Sequence, residues 1–288
     1  MLHQQGVRLE ELQRKLGIKL VHVVPWWKVA EANPVYGETV EALIEELGPT
    51  HVLIKTHYEC EPAEANGNMF EYHEVSAMVS GHSRQHSPRD GSYYVAGVDF
   101  CAARDTKSEH EDPFNNNGKK PRDSTVVTIA ECNFVWNKVL NKKMPVLRVV
   151  DCLQFQDKDP DICVDDVYNF VFEKWHCVRC VLDAQGVGAG LAERIRMRRP
   201  KQCTALNIGF TVKSDLGHKL VGAVKSKRFH LYRDDGREEF QQYLLQFKEC
   251  RRYELRENGM IRWGGPRHKV NGQDIHDDFV LSAAYALE

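Results

Sequence analysis

The grouping of apolar residues changes at Ser92, and that change constrains the fold of this 288-residue chain more than any other feature. Three apolar runs of β type come first, 93–100, 124–131 and 146–152. Helical and strand-like spacing then alternates: a helix over 165–175, a strand over 177–183, a helix over 190–199 and a strand over 203–210. Helices over 216–227 and 238–250 follow, and a short one from Asp274 closes the chain. Consecutive strands without an intervening helix favour antiparallel pairing, and the later alternation favours parallel additions. The expectation is an α/β fold in which a mixed sheet is flanked by helices.

The first ninety residues read differently. Helical spacing covers 8–16, a strand-like run 19–24, an amphipathic helix 37–47 and another strand 51–56. The run Ser80 to Gly91 is polar and reads as a linker, which divides the chain into a small α/β segment (1–90) and a main domain (91–288). No apolar run approaches the ~18 residues of a membrane span, and Leu20–Trp27 lacks the flanks of a signal peptide, so the chain reads as a soluble cytosolic protein without a membrane partner. Nine irregularly spaced cysteines favour free thiols. Cys177 and Cys180 have CxxC spacing but no second pair at a zinc-site distance, and read as small buried side chains.

Charge is unevenly placed. The net charge is −2, but 184–272 alone holds 19 basic and 9 acidic residues, a net +10 against −12 for the remainder. A basic segment beside isolated acids suits a protein that grips a polyanion and gathers carboxylates at one point. Three positions supply such carboxylates: Asp99 at the end of the first strand, Asp183 at the end of the 177–183 strand, and His276-Asp277-Asp278 at the start of the last helix. Singly, each suits a turn or a helix start. Together they repel unless a cation neutralises them, and an all-oxygen donor set selects Mg²⁺ or Mn²⁺. Two such ions about 4 Å apart would clamp a scissile phosphate. Helical phase places Asp277 nearer the apolar stripe of the last helix than Asp278.

Two familiar nucleotide motifs are absent. Gly186, Gly188 and Gly190 do not have the G-x-G-x-x-G spacing of a dinucleotide fold, and Gly118-Lys119 lacks the upstream glycine of an ATPase phosphate loop.

Four segments in order, Tyr94-Val95-Ala96-Gly97-Val98-Asp99, Arg122-Asp123-Ser124-Thr125-Val126-Val127, Leu182-Asp183-Ala184-Gln185-Gly186-Val187-Gly188 and His276-Asp277-Asp278, resemble the nuclease domain of tailed-phage large terminase subunits over roughly 91–288. The resemblance implies an RNase H-like fold and a Mg²⁺- or Mn²⁺-dependent endonuclease. It would cut concatemeric double-stranded phage DNA with two metal ions during genome packaging in the bacterial host cytoplasm. By the same resemblance Asp99 is the first-strand ligand, Asp183 the second acid, and Asp277 or Asp278 completes the cluster. Asp123 resembles an auxiliary acid, although the connection from Ala102 to Arg122 is longer than in the family. Residues 1–90 look like the end of the terminase ATPase domain, and a packaging ATPase domain or subunit, the portal and the small terminase subunit are the implied partners. Lys213, Lys219, Lys225, Lys227 and Arg228, with Arg262 and Arg267, are the candidate phosphate contacts. A RuvC-like or transposase-type nuclease on branched DNA and a non-catalytic DNA-binding module of a packaging machine are the alternatives.

Overall fold

The structure, a computed structural model, describes residues 23–47, 54–60, 67–101, 124–137, 141–156, 159–186, 188–255, 259–267, 269–270, 272 and 274–288. In chain order the elements are α1 (Trp26–Ala32), α2 (Pro34–Leu47), a π-helical turn (Ile54–Tyr58), β1 (Gly67–Asn68), α3 (Tyr72–Met78), β2 (Tyr94–Asp99), β3 (Thr125–Asn137) and β4 (Lys142–Phe155). There follow α4 (Pro160–Tyr168), a second π-helical turn (Asn169–Lys174), β5 (Arg179–Asp183), α5 (Gly188–Arg198), β6 (Cys203–Leu206) and α6 (Phe210–Lys225). The chain ends with β7 (Phe229–His230), α7 (Glu238–Glu249), β8 (Arg251–Leu255), β9 (Ile261–Gly264) and α8 (Asp278–Ala286).

Six strands form one mixed sheet in the order β6-β5-β2-β3-β4-β7. The three consecutive strands pair antiparallel, and β5 and β6 add in parallel on the other side of β2, as the sequence pattern predicts. β2 is central and buried on both faces, which explains why its sequence is a continuous apolar run rather than an alternation. On one face lie α6, α7 and α8, with Tyr243, Phe247, Phe279 and Tyr285 in the core; on the other lie α4, α5 and the second π-helical turn, with Val164, Trp175 and Ile195. Cys177 and Cys180 are fully buried in that second core, the packing role expected of them.

Local chemistry sets several boundaries. Asp159 caps α4 by accepting the Asp161 N–H at 2.8 Å, with Pro160 in the first turn, so the helix starts earlier than its apolar stripe suggests. The expected strand 203–210 stops at Leu206, because Gly209 is the N-cap residue of α6 and Phe210 opens that helix. Of the expected strand 51–56, Ile54 onward is a π-helical turn. Residues 8–16, most of 19–24, and 51–53 lie outside the described residues, and Val23 and Val24 are exposed and irregular. The antiparallel ribbon β8–β9, extended by β1, was not anticipated.

The polar run 80–91 is bonded along the free edge of β4. Gln85 N–H donates to Val150 O at 2.8 Å, His82 Nε2 lies 2.8 Å from Val149 O, and the Arg84 guanidinium donates to Asp151 Oδ1 and to the Cys152 carbonyl, both at 2.7 Å. Polarity in this run therefore satisfies a sheet edge that would otherwise stay open. Asp151 itself is 3 % exposed; Arg84 and Lys174 (2.8 Å) neutralise it, and Trp175 Nε1 donates to it at 3.0 Å. Met69, Phe70, Val75 and Met78 are part of the same core as α6 and α7, so packing continues across residue 91.

Seating of α8 on β2 depends on Gly97. A Cβ at that position would lie 2.0 Å from Ser282 O and 2.5 Å from Ala286 N, both backbone atoms of α8. Thr128 Oγ1 locks the same contact through Ser282 Oγ at 2.7 Å, and Phe279 N–H donates to Gln246 Oε1 at 2.7 Å. Because backbone cannot step aside as a flexible side chain does, Gly97→Ala is expected to lower the unfolding free energy by at least ~1–3 kcal/mol in urea denaturation. Gly190→Ala, where nothing lies within 4 Å, should be neutral or stabilising by up to ~1 kcal/mol.

Candidate active site

Strand register brings the first two carboxylates together. Val98 of β2 pairs with Leu182 of β5 in parallel, so the next residues, Asp99 and Asp183, end neighbouring strands about 4.8 Å apart. They share the orientation of Gly97 and Val181, two residues back, and therefore project toward the face on which α8 lies. Asp278 arrives from the first turn of α8, and Asp277 is the residue just before it. Asp99, Asp183 and Asp278 are 7, 8 and 6 % exposed.

Asp278, Asp183 and Asp277 each accept a specific hydrogen bond. Ser124 N–H, at the start of β3, donates to Asp278 Oδ2 at 2.8 Å. Gln185 N–H donates to Asp183 Oδ1 at 3.0 Å, a turn contact that closes the end of β5. Lys213 Nζ donates to Asp277 Oδ2 at 3.1 Å. Gly264, at φ +156°, lets the β8–β9 ribbon approach this pair, for a Cβ there would stand 3.0 Å from Asp277 Oδ2. Asp277 thus faces the ribbon and Asp278 the sheet. This corrects the helical-phase expectation: Asp277 has non-helical dihedrals (φ −118°, ψ 16°), so a 100° rotation per residue does not apply to it.

Burial, then repulsion from Asp278, Asp277 and Asp183, pushes the Asp99 carboxyl well above the ordinary carboxylate range, with Lys213 opposing. Asp183 is also raised, mainly by burial, against the Gln185 N–H and Lys213. Tyr285, two turns after Asp278 on the same helix, is fully buried; its hydroxyl has no hydrogen-bond partner among the described residues, and burial with the fields of Asp99, Asp183 and Asp277 pushes its pKa up. Its spacing of seven from Asp278 was the sequence signal for it. Ser124 acts through its backbone and left no signal.

Among the described residues, no three His, Cys, Asp or Glu side chains are arranged so that they could hold a metal ion as they stand. The donor chemistry nevertheless fits one: four carboxylates at one sheet edge, one of them buried and raised by its neighbours, form a set that a hard divalent cation would relieve.

Beside the acids lies an open cleft of about 460 Å³, lined by Lys213, Arg262 and Arg267 together with Phe210, Tyr253 and Trp263. The cations stack on these rings: Lys213 Nζ is 5.0 Å from the Trp263 centroid, Arg262 5.8 Å from Phe210 and Arg267 4.3 Å from Tyr253. The remaining basic candidates sit elsewhere. Lys219 pairs with Glu288, Lys225 is largely buried against Glu74 (3.7 Å), and the Arg228 guanidinium donates to the carbonyls of Pro145 (3.2 Å) and Glu46 (2.9 Å). Lys225 and Arg228 therefore tie elements together, and Lys225 lies about 18 Å along α6 from Lys213. Lys227 is exposed near the same end of α6, and Asp123 lies outside the described residues.

No family model and no curated protein matches the chain. Among solved structures it is similar to the large terminase nuclease from thermophilic phage G20c with bound magnesium, at 17 % identity and a TM-score of 0.51, over 78 % of this chain and 98 % of that one. The cobalt-bound form of the same nuclease gives the same values, and the large terminase nuclease domain of Thermus phage P74-26 gives 16 % and 0.48, over 76 % and 94 %. At this identity the likeness is one of fold, and the fold is that of the RNase H-like terminase nuclease domains.

Carboxyls that are raised in the folded state hold protons that the unfolded chain has released, so the metal-free protein loses stability as pH rises from about 4 through the raised values. Asp99→Asn removes one such group. In EDTA at pH 7.5 it is expected to unfold at a higher temperature than wild type, by ~2–4 °C for each ~1 kcal/mol relieved. That advantage should shrink toward pH 4, as read by thermal melts across pH.

Proposed function

We propose that this chain is a divalent-metal-dependent endonuclease that hydrolyses double-stranded DNA, with phage genome packaging as its setting. The observation that carries this reading is the side-by-side ending of β2 and β5, which sets Asp99 against Asp183 where α8 delivers Asp278 and Asp277. The terminase-nuclease fold supports the choice of substrate.

In this reading Asp99, Asp183, Asp278 and Asp277 are the residues that would hold two Mg²⁺ or Mn²⁺ ions. Bound there, such ions supply Lewis-acid activation of water and neutralise charge on the scissile phosphate. The protein's own contribution is placement. Ser124 N–H and Gln185 N–H fix the carboxylate planes of Asp278 and Asp183. Buried Tyr285 packs behind the acids and keeps bulk water from that side. Lys213, Arg262 and Arg267, stiffened on their aromatic platforms, offer phosphate contacts leading to the acids without reading base identity. A packaging ATPase, the portal and the small terminase subunit are the proposed partners, and the bacterial cytoplasm the proposed location. Among the described residues no helix is long and apolar enough to cross a membrane.

The Lys213–Asp277 ion pair favours one competing reading, a DNA-binding module without catalysis, because it occupies an acid that the chemistry needs. Nicking and linearisation of supercoiled plasmid in Mn²⁺, Mg²⁺ or EDTA separates the two. Wild type should cut only with metal, and Asp183→Asn should be at least ~100-fold slower, on the scale of losing a group that acts in the transition state. Cleavage that survives the substitution unchanged would remove Asp183 from the site, and DNA binding without cleavage under any metal would leave the binding module.

A further inference from the structure

Lys213 joins the acid cluster to the cleft. It stands in the first turn of α6 and is held by one indole at both ends: its carbonyl accepts from Trp263 Nε1 at 2.6 Å, and its ammonium lies over the same ring. The tip donates to Asp277 Oδ2, and its charge favours the ionised forms of both Asp99 and Asp183. Yet the side chain is 32 % exposed and lines the cleft. One ammonium therefore serves Asp277, Asp99 and Asp183 on one side and open space for an anion on the other.

Building on the nuclease reading, we propose that Lys213 is a positioning residue, the resident countercharge of the metal-free cluster. Its pair with Asp277 opens when a divalent cation binds, releasing the ammonium toward a DNA phosphate in the cleft. The physical argument is competition. Charges in contact interact far more strongly where protein displaces water than in open solvent. A fixed ammonium on Asp277 thus weakens an incoming cation through occupation of a ligand and through repulsion, and the cation in turn frees the ammonium. Carboxylates left with no countercharge would repel, which gives the metal-free protein a reason to keep Lys213 in place.

Lys213→Met tests this, because methionine keeps an unbranched stem against Trp263 and drops the charge. Calorimetric titration with Mn²⁺ should show affinity tightened at least ~10-fold over wild type, while Lys213→Arg stays within about threefold of it. Binding of a duplex oligonucleotide supplies a second readout. In EDTA, where Lys213 is engaged with Asp277, Lys213→Met should leave the slope of log affinity against log salt unchanged. In Ca²⁺ it should flatten that slope by about one contact. Thermal melts in EDTA establish that each variant is folded. Mn²⁺ affinity unchanged within twofold, or an equal change of salt slope with and without Ca²⁺, overturns the assignment to Lys213 while leaving wild-type plasmid cleavage, and so the nuclease reading, standing. Wild type that neither binds Mn²⁺ nor cuts DNA overturns both.

Discussion

Everything at the acid cluster depends on how closely α8 can lie on β2. A helix normally stands off a sheet by the depth of its side chains, but at Gly97 there is none, and the α8 backbone descends until Ser282 O occupies the space a Cβ would fill. That descent is held by the Thr128–Ser282 hydrogen bond and by burial of Phe279, Val280 and Ala283. Its result is that the start of α8 reaches the end of β2, bringing Asp278 and Asp277 to Asp99. Any residue larger than glycine at 97 would lift the helix and open the cluster.

The cluster is electrostatically expensive, with burial and mutual repulsion raising Asp99. Among the described residues, the backbone N–H groups of Ser124 and Gln185 and the ammonium of Lys213 face these carboxylates. Contrast Asp151 on β4. It is just as buried, yet Arg84, Lys174 and Trp175 satisfy it fully, and it therefore reads as a structural ion pair. Under-compensation at Asp99 and full compensation at Asp151 separate a site from a strut more clearly than burial does.

The strand order and the acids at the ends of β2 and β5 were legible because each depends on short-range pattern. An apolar run bounded by polar loops gives a strand, and alternation with helices gives parallel pairing. What misled was local polarity taken as exposure. The run 80–91 reads as a linker but completes a sheet edge through Gln85 and Arg84. Lys225 and Arg228 read as phosphate contacts, yet one is buried against Glu74 and the other spans two carbonyls from distant segments. In each case the partner lies far away in sequence, and no periodicity encodes it. The β8–β9 ribbon escaped for a related reason: its five- and four-residue strands are too short to display an alternation.

Local pattern along the chain dictates which residues carry charge at the ends of apolar runs, and hence that carboxylates without obvious counterions have to be accommodated. It also determined the mixed sheet, since period and loop length are local quantities. Which of the acids meet, and how, follows from packing between distant segments. Parallel register sets Asp99 beside Asp183, the close seating of α8 turns Asp278 inward, and Gly264 admits the ribbon that backs Asp277. Lys213 likewise became part of the cluster, not merely of a basic surface, because Trp263 of the ribbon holds it there. These are contacts between segments tens to more than a hundred residues apart, fixed by packing rather than by any local preference of the chain.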